Sequence, residues 1–155
     1  MSNFRTTHTQ TLSVTANQAV FMNLQGGTIA RVHLHEINLS NAVAATPGAI
    51  AAELALRQST DAGTGGTALD EINTNPPGPA ATVLGTGGNH TTDPANAAAT
   101  NLLRIGLRQE IPWRWLAYPG REIISIPAAA DGLALVTVSI VGASFACLGS
   151  LAWME

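Results

Sequence analysis

The 155-residue chain has no lysine, a single cysteine and little charge of either sign: seven arginines and ten acids make up 11% of it, for a net charge of −3. A typical soluble domain carries about 25% charged residues. No basic run occurs anywhere, which argues against a nucleic-acid binder that gains its affinity by releasing counterions from phosphates. Cys147 stands alone, so there is neither an intrachain disulfide nor a cysteine-rich metal site, and its apolar surroundings suit a small buried hydrophobe. The first eighteen residues lack an apolar core segment, which argues against an ordinary secretory signal. With so few charges, much of the surface is expected to be covered by copies of the chain or by another protein.

Recognisable catalytic chemistry is missing too. The glycine runs Gly63-x-Gly65-Gly66 and Gly85-x-Gly87-Gly88 carry no phosphate-loop lysine and open no helix, so they read as turns. His33 and His35 put two imidazoles on one face of a strand, about 6.5–7 Å apart along it. A third metal ligand would have to come from His8, His90 or a distant carboxylate, none at a recognisable offset. No Ser/His/Asp or Cys/His order stands out. The expectation is a non-enzymatic chain with no cofactor, no metal site and no nucleic-acid partner.

What is present is alternation. Residues 10–15 and 19–24 read as short strands around a turn at 16–18, with Gly26 and Gly27 closing the second. In residues 28–40, Val32 and Leu34 share one face, then Ile37 and Leu39 take the other, a switch that suggests a bulge near Glu36 or a change of surroundings. Residues 47–59 are ambiguous between helix, by propensity, and strand, by alternation. Residues 103–108 have strand spacing, and residues 113–128 supply two more short strands hinged at Pro119 and Gly120.

Residues 132–153 contain no charge and are long enough to cross a bilayer. Acidic flanks and three interrupting serines favour two strands, 133–140 and 143–154, forming a hairpin about Val141 and Gly142. The expected fold is all-β, an antiparallel jelly-roll-like sandwich of about eight strands in one domain over residues 1–155. Two parts lie outside its strands in this reading. One is a polar N-terminal arm, residues 1–11; the other is a long loop, residues 61–98, with four acids and no base, both ordered only against a partner.

Four of the seven arginines and two of the three tryptophans fall in one stretch: Arg104, Arg108, Trp113, Arg114, Trp115, Tyr118 and Arg121. Arg, Trp and Tyr anchor interfaces, and a core Trp pair with outward arginines is the alternative. Phe4 and Arg5 in the arm and Pro76 and Pro77 in the loop complete the candidate interface.

The runs RVHLHEINLSNAVAATPGAIAAELALRQSTDAGTGGTALDEI and GGNHTTDPANAAATNLLRIGLRQEIPWRWLAYPGREIISIP resemble those of tailed-phage capsid decoration (cement) proteins with a jelly-roll fold. The matching positions are Glu36 and Ile37, Arg57 and Gln58, 61–64, 87–94 and 113–122. The resemblance covers about two thirds of the chain; the proline-heavy loop and the apolar C-terminal strands depart from it. It implies a homotrimer on the virion exterior, made in the host bacterial cytoplasm, that clamps neighbouring major capsid subunits without catalysis. It also tips residues 47–59 towards strand. Another virion β-sandwich, from a tail or spike, and a small membrane-anchored protein are the alternatives.

Overall fold

The computed structural model describes residues 2–15, 19–26, 31–43, 50–125, 131–142 and 145–155, apart from the side chains of Ala97 and Ala98. The turn expected at 16–18, Gly27, the first positions of the 47–59 and 143–154 segments and the end of the 113–128 segment lie outside these residues. Among the described residues there is no helix; twelve strands form two antiparallel sheets packed as a sandwich.

Eight of the strands carry the architecture. They are β1 (Asn3–Thr11), β2 (Val20–Gln25), β3 (His33–Asn41), β4 (Ala51–Ser59), β8 (Asn96–Arg108), β9 (Trp113–Leu116), β11 (Gly132–Val141) and β12 (Ala146–Met154). One sheet runs β1-β12-β3-β9 and the other β2-β11-β4-β8. The chain changes sheet at almost every connection, and that winding is the jelly roll. The ambiguous 47–59 segment is strand β4 where described, because its alternating Leu54 and Leu56 face Ile105 and Leu103 across the pairing with β8.

The apolar C-terminal region folds as two strands with a turn at Gly142, as expected, yet the hairpin expectation is corrected. β11 pairs with β2 and β4, whereas β12 pairs with β1 and β3, so the two strands lie in opposite sheets. Each is the central strand of its sheet, which explains the lack of charge: Gly132 to Thr137 are all buried, and Cys147, Gly149, Leu151 and Trp153 of β12 are buried too. No helix among the described residues is long and apolar enough to cross a membrane. Burial pushes the Cys147 thiol up to about 12, so it stays protonated and inert.

The arm is also corrected. Asn3–Thr11 pairs with β12 along its whole length, from Asn3 opposite Met154 to Thr11 opposite Ala146. Phe4 stacks on Trp153 with ring centroids 5.8 Å apart and is 1% exposed, so it is core and not interface. The strand looked too polar to pack because its lower neighbours are glycines. A Cβ at Gly87 would run into the His8 ring and one at Gly88 into the Gln10 amide, so these polar side chains fill the space that apolar ones usually take.

Residues 60–95 are likewise not a loose loop. They add β5 (Thr67–Ala68) and β7 (Leu84–Gly87) beside β2, and β6 (Ile72–Asn73) beside β1, extending both sheets on one side of the sandwich. Their two ends are clasped together. The Thr64 N–H donates to the Thr92 carbonyl (2.9 Å), the Thr91 N–H to the Thr64 carbonyl (2.7 Å), and the Asp61 carboxylate accepts from the N–H groups of both Gly63 and Ala95 (2.9 Å each). Gly63 and Gly65 have positive φ and lie against Thr91, Thr92 and Pro94, where a side chain would not fit. Beneath them His90 is buried; burial lowers its pKa against the opposing pull of Asp93, so the ring is neutral at pH 7. Farther out, the Glu155 side chain accepts from the N–H groups of Thr82 and Val83, and Val83 is fully buried in the core. The insertion is thus ordered by its own sandwich.

The core between the sheets interlocks at Gly149 of β12. The register of β2 against β11 shifts between Leu135 and Val136, leaving Phe21 as an extra residue, and both Phe21 and Met22 press on Gly149. A side chain there has no room. Gly149→Val is expected to cost about 1–3 kcal/mol or more in urea unfolding, the range for overpacking a core. A second expectation follows from the clasp: replacing residues 75–79 with a short glycine linker should shift the melting temperature by only a few degrees. Removing residues 74–86 takes out Val83 and all of β7 but Gly87 and should abolish the cooperative melt, read by circular dichroism.

Candidate protein-interaction surface

The Arg/Trp segment occupies the side of the sandwich away from the insertion. β8 is the last strand of one sheet, and on the other sheet β9 and β10 (Ile123–Ile124) share the outer edge of β3. A tight turn between them, in which the Ile111 N–H donates to the Arg108 carbonyl (3.2 Å), carries the chain from sheet to sheet. Pro112 then precedes β9.

Alternation divides the segment's two roles. Trp113 and Trp115 face Leu39 and Ile37 of β3, are half-buried and pack on the core. Arg114 and Leu116, between and after them, are exposed. The tryptophans therefore close the core, while the arginines and a set of apolar residues form the surface: Leu102, Ile111, Leu116, Tyr118 and Ile124 are all exposed, Tyr118 at 82%. Tyr118 sits at a turn closed by the Arg121 N–H on the Tyr118 carbonyl (2.9 Å), with Gly120 at φ +76 as Pro119-Gly120 turns require. Arg108 and Arg121 have no carboxylate partner among the described residues, whereas Arg104 is paired with Glu53 and Arg114 with Glu36.

Glu36 is the residue that sequence reasoning did not single out as a hub. It is 7% exposed, its carboxylate 2.7 Å from Arg5 Nη2 and 3.0 Å from Arg114 Nε, and it also accepts from Asn38 Nδ2 at 2.7 Å. Register explains the reach. Arg5, Ala152, Glu36 and Leu116 lie in one row across four strands, and the small Ala152 lets Arg5 of β1 pass over β12 to β3. A register shift that skips His35 sets Glu36 in that row, the bulge suggested by the switch of face. Burial alone would push the Glu36 carboxyl up; the Asn38 amide and the charges of Arg5 and Arg114 outweigh it and hold it below its ordinary value.

The structure thus joins two of the candidate residues, Arg5 and Arg114, through a carboxylate. It separates Pro76 and Pro77, which are exposed beyond β6 at the opposite side. His33 and His35 lie near Glu122, whose carboxyl is held low by the N–H groups of Glu122 and Gly120 and, less strongly, by those imidazoles. Among the described residues no three His, Cys, Asp or Glu side chains are grouped to hold a metal ion. Family models, curated proteins and solved structures were compared with the chain, and none matches it.

Because the folded-state pKa of Glu36 is depressed, the unfolded chain takes up that proton first as pH falls. The stabilisation is present above about 4.5 and is lost as pH drops through the lower folded value. Glu36→Gln is expected to cost roughly 1–3 kcal/mol at pH 7 and to flatten the loss of stability below pH 4.5, measured by urea unfolding across pH.

Proposed function

We propose that this chain is a structural virion protein that binds the outer surface of a bacteriophage capsid as a homotrimer and stabilises the shell by clamping neighbouring major capsid subunits. The observation that carries the reading is the built, catalytically unfurnished edge at β8–β10. It carries exposed apolar side chains, the protruding Tyr118 turn and two arginines without a carboxylate, held rigid by half-buried tryptophans. Rigid aromatic and Arg anchors on a sheet edge suit recognition of a protein surface. The jelly-roll strand order agrees with what the resemblance to decoration proteins implies, and the low charge agrees with a surface largely covered in an assembly. The contact belongs to this edge in the proposal, and the insertion at 61–98 serves the fold.

Co-sedimentation with undecorated phage shells tests it. Wild type should saturate shells at many copies per particle. A Tyr118→Ala, Arg121→Glu variant, whose sites are exposed and outside the core, should bind at least tenfold more weakly with an unchanged melting temperature. Failure of the wild type to sediment with any shell, or presence in only a few copies per virion as a tail or spike component would be, refutes the reading.

A further inference from the structure

We propose that the open edge of β8, with the depression at its C-terminal end, receives an extended segment of a partner protein, which adds as a further strand and brings an apolar side chain and a neighbouring carboxylate. The inference goes beyond the capsid reading and holds for any protein partner.

Three features of one place combine. First, β8 is the longest strand among the described residues, thirteen residues, and pairs with β4 along one side, with no strand beside Asn101–Arg108 on the other among the described residues. An unpaired edge offers backbone donors and acceptors to an added strand. The other side of the sandwich ends instead in the two-residue strands β5 and β6, too short to template a pairing.

Second, where β8, β4 and β11 end together, the outer face of the sheet sinks into a depression of about 300 Å³, lined by Ala51, Glu53, Gly106, Arg108, Ser139 and Val141. Gly106 makes the room: a Cβ there would meet nothing within 4 Å. Glycine inside a strand that needs neither a turn nor a close contact within its own fold is explained by the approach of something else. An apolar side chain of an added strand, alternating to the same face, would enter beside it.

Third, the charges around the depression are unbalanced. Glu53 is already engaged by Arg104, which leaves Arg108 with no carboxylate among the described residues. Charge complementarity therefore specifies an acid on the incoming strand and disfavours a base, even though the whole chain is acidic.

The test uses the full-length chain and two synthetic peptides of alternating Thr and Val, identical except for one central Glu or Lys. Amide chemical shifts and hydrogen exchange are followed by NMR. The Glu peptide should shift and slow exchange of amides in β8 by fivefold or more, and the Lys peptide should bind at least tenfold more weakly. Arg108→Glu should reverse that preference. Gly106→Leu, whose Cβ would meet nothing within 4 Å and whose side chain occupies the depression, should weaken the Glu peptide at least tenfold at an unchanged melting temperature. Equal binding of both peptides, perturbation elsewhere or nowhere, or indifference to both substitutions overturns the proposal. So does a concentration-dependent self-association that Arg108→Glu abolishes, since the edge would then belong to a second copy. None of these outcomes depends on shells, so failure here and failure of the capsid reading are told apart.

Discussion

A β-sandwich has two open sides, and leaving backbone groups or core side chains at them unprotected is costly. The clasp of residues 60–66 on 89–95 settles one side of this one. By tying both ends of the insertion together, Asp61 and the Thr64–Thr92 bridge let β5, β6 and β7 cap β1 and β2 and let Val83 reach the core. The polar inner face of β1, the glycines of β7 and the low-pKa buried His90 all make sense only with that cap in place. On the other side the solution differs: β9 and β10 close the core with Trp113, Trp115 and Ile123, while β8 has no strand beyond it among the described residues.

Charge follows the same division. The insertion brings four acids and no base, whereas residues 101–125 bring Arg104, Arg108, Arg114 and Arg121 against Glu110 and Glu122. A chain of net −3 therefore carries an anionic insertion on one side and, on the other, arginines of which Arg108 and Arg121 have no carboxylate partner among the described residues, and total charge says little about which partner either side meets.

Alternation made the class of fold and most strands legible, including the bulge beside Glu36, because period-2 patterning records a strand with one buried face. It failed where that premise fails. β1 reads as an arm because its inward Thr6, His8 and Gln10 are polar, and the fit of His8 and Gln10 depends on Gly87 and Gly88, far along the chain. β11 and β12 look like partners in sequence because a short connection joins them, although topology places them in opposite sheets. At the edge, the cluster of Arg and Trp was visible in composition, but its partition between core and surface needed the β3 register. The depression at Gly106 had no sequence signal other than a glycine inside a strand.

The position of β11 and β12 also governs how the molecule comes into being. Each is the centre of its sheet, bonded on both sides to strands made much earlier, β2 and β4 for one and β1 and β3 for the other. During synthesis the sheet of β2 and β4 cannot close until residue 141 has left the ribosome, and the sheet of β1 and β3 not until residue 154, so the centre of each sheet is filled last. The aggregation hazard therefore falls in the nascent chain, and the low charge, harmless once folded, makes that interval the point at which a chaperone matters most.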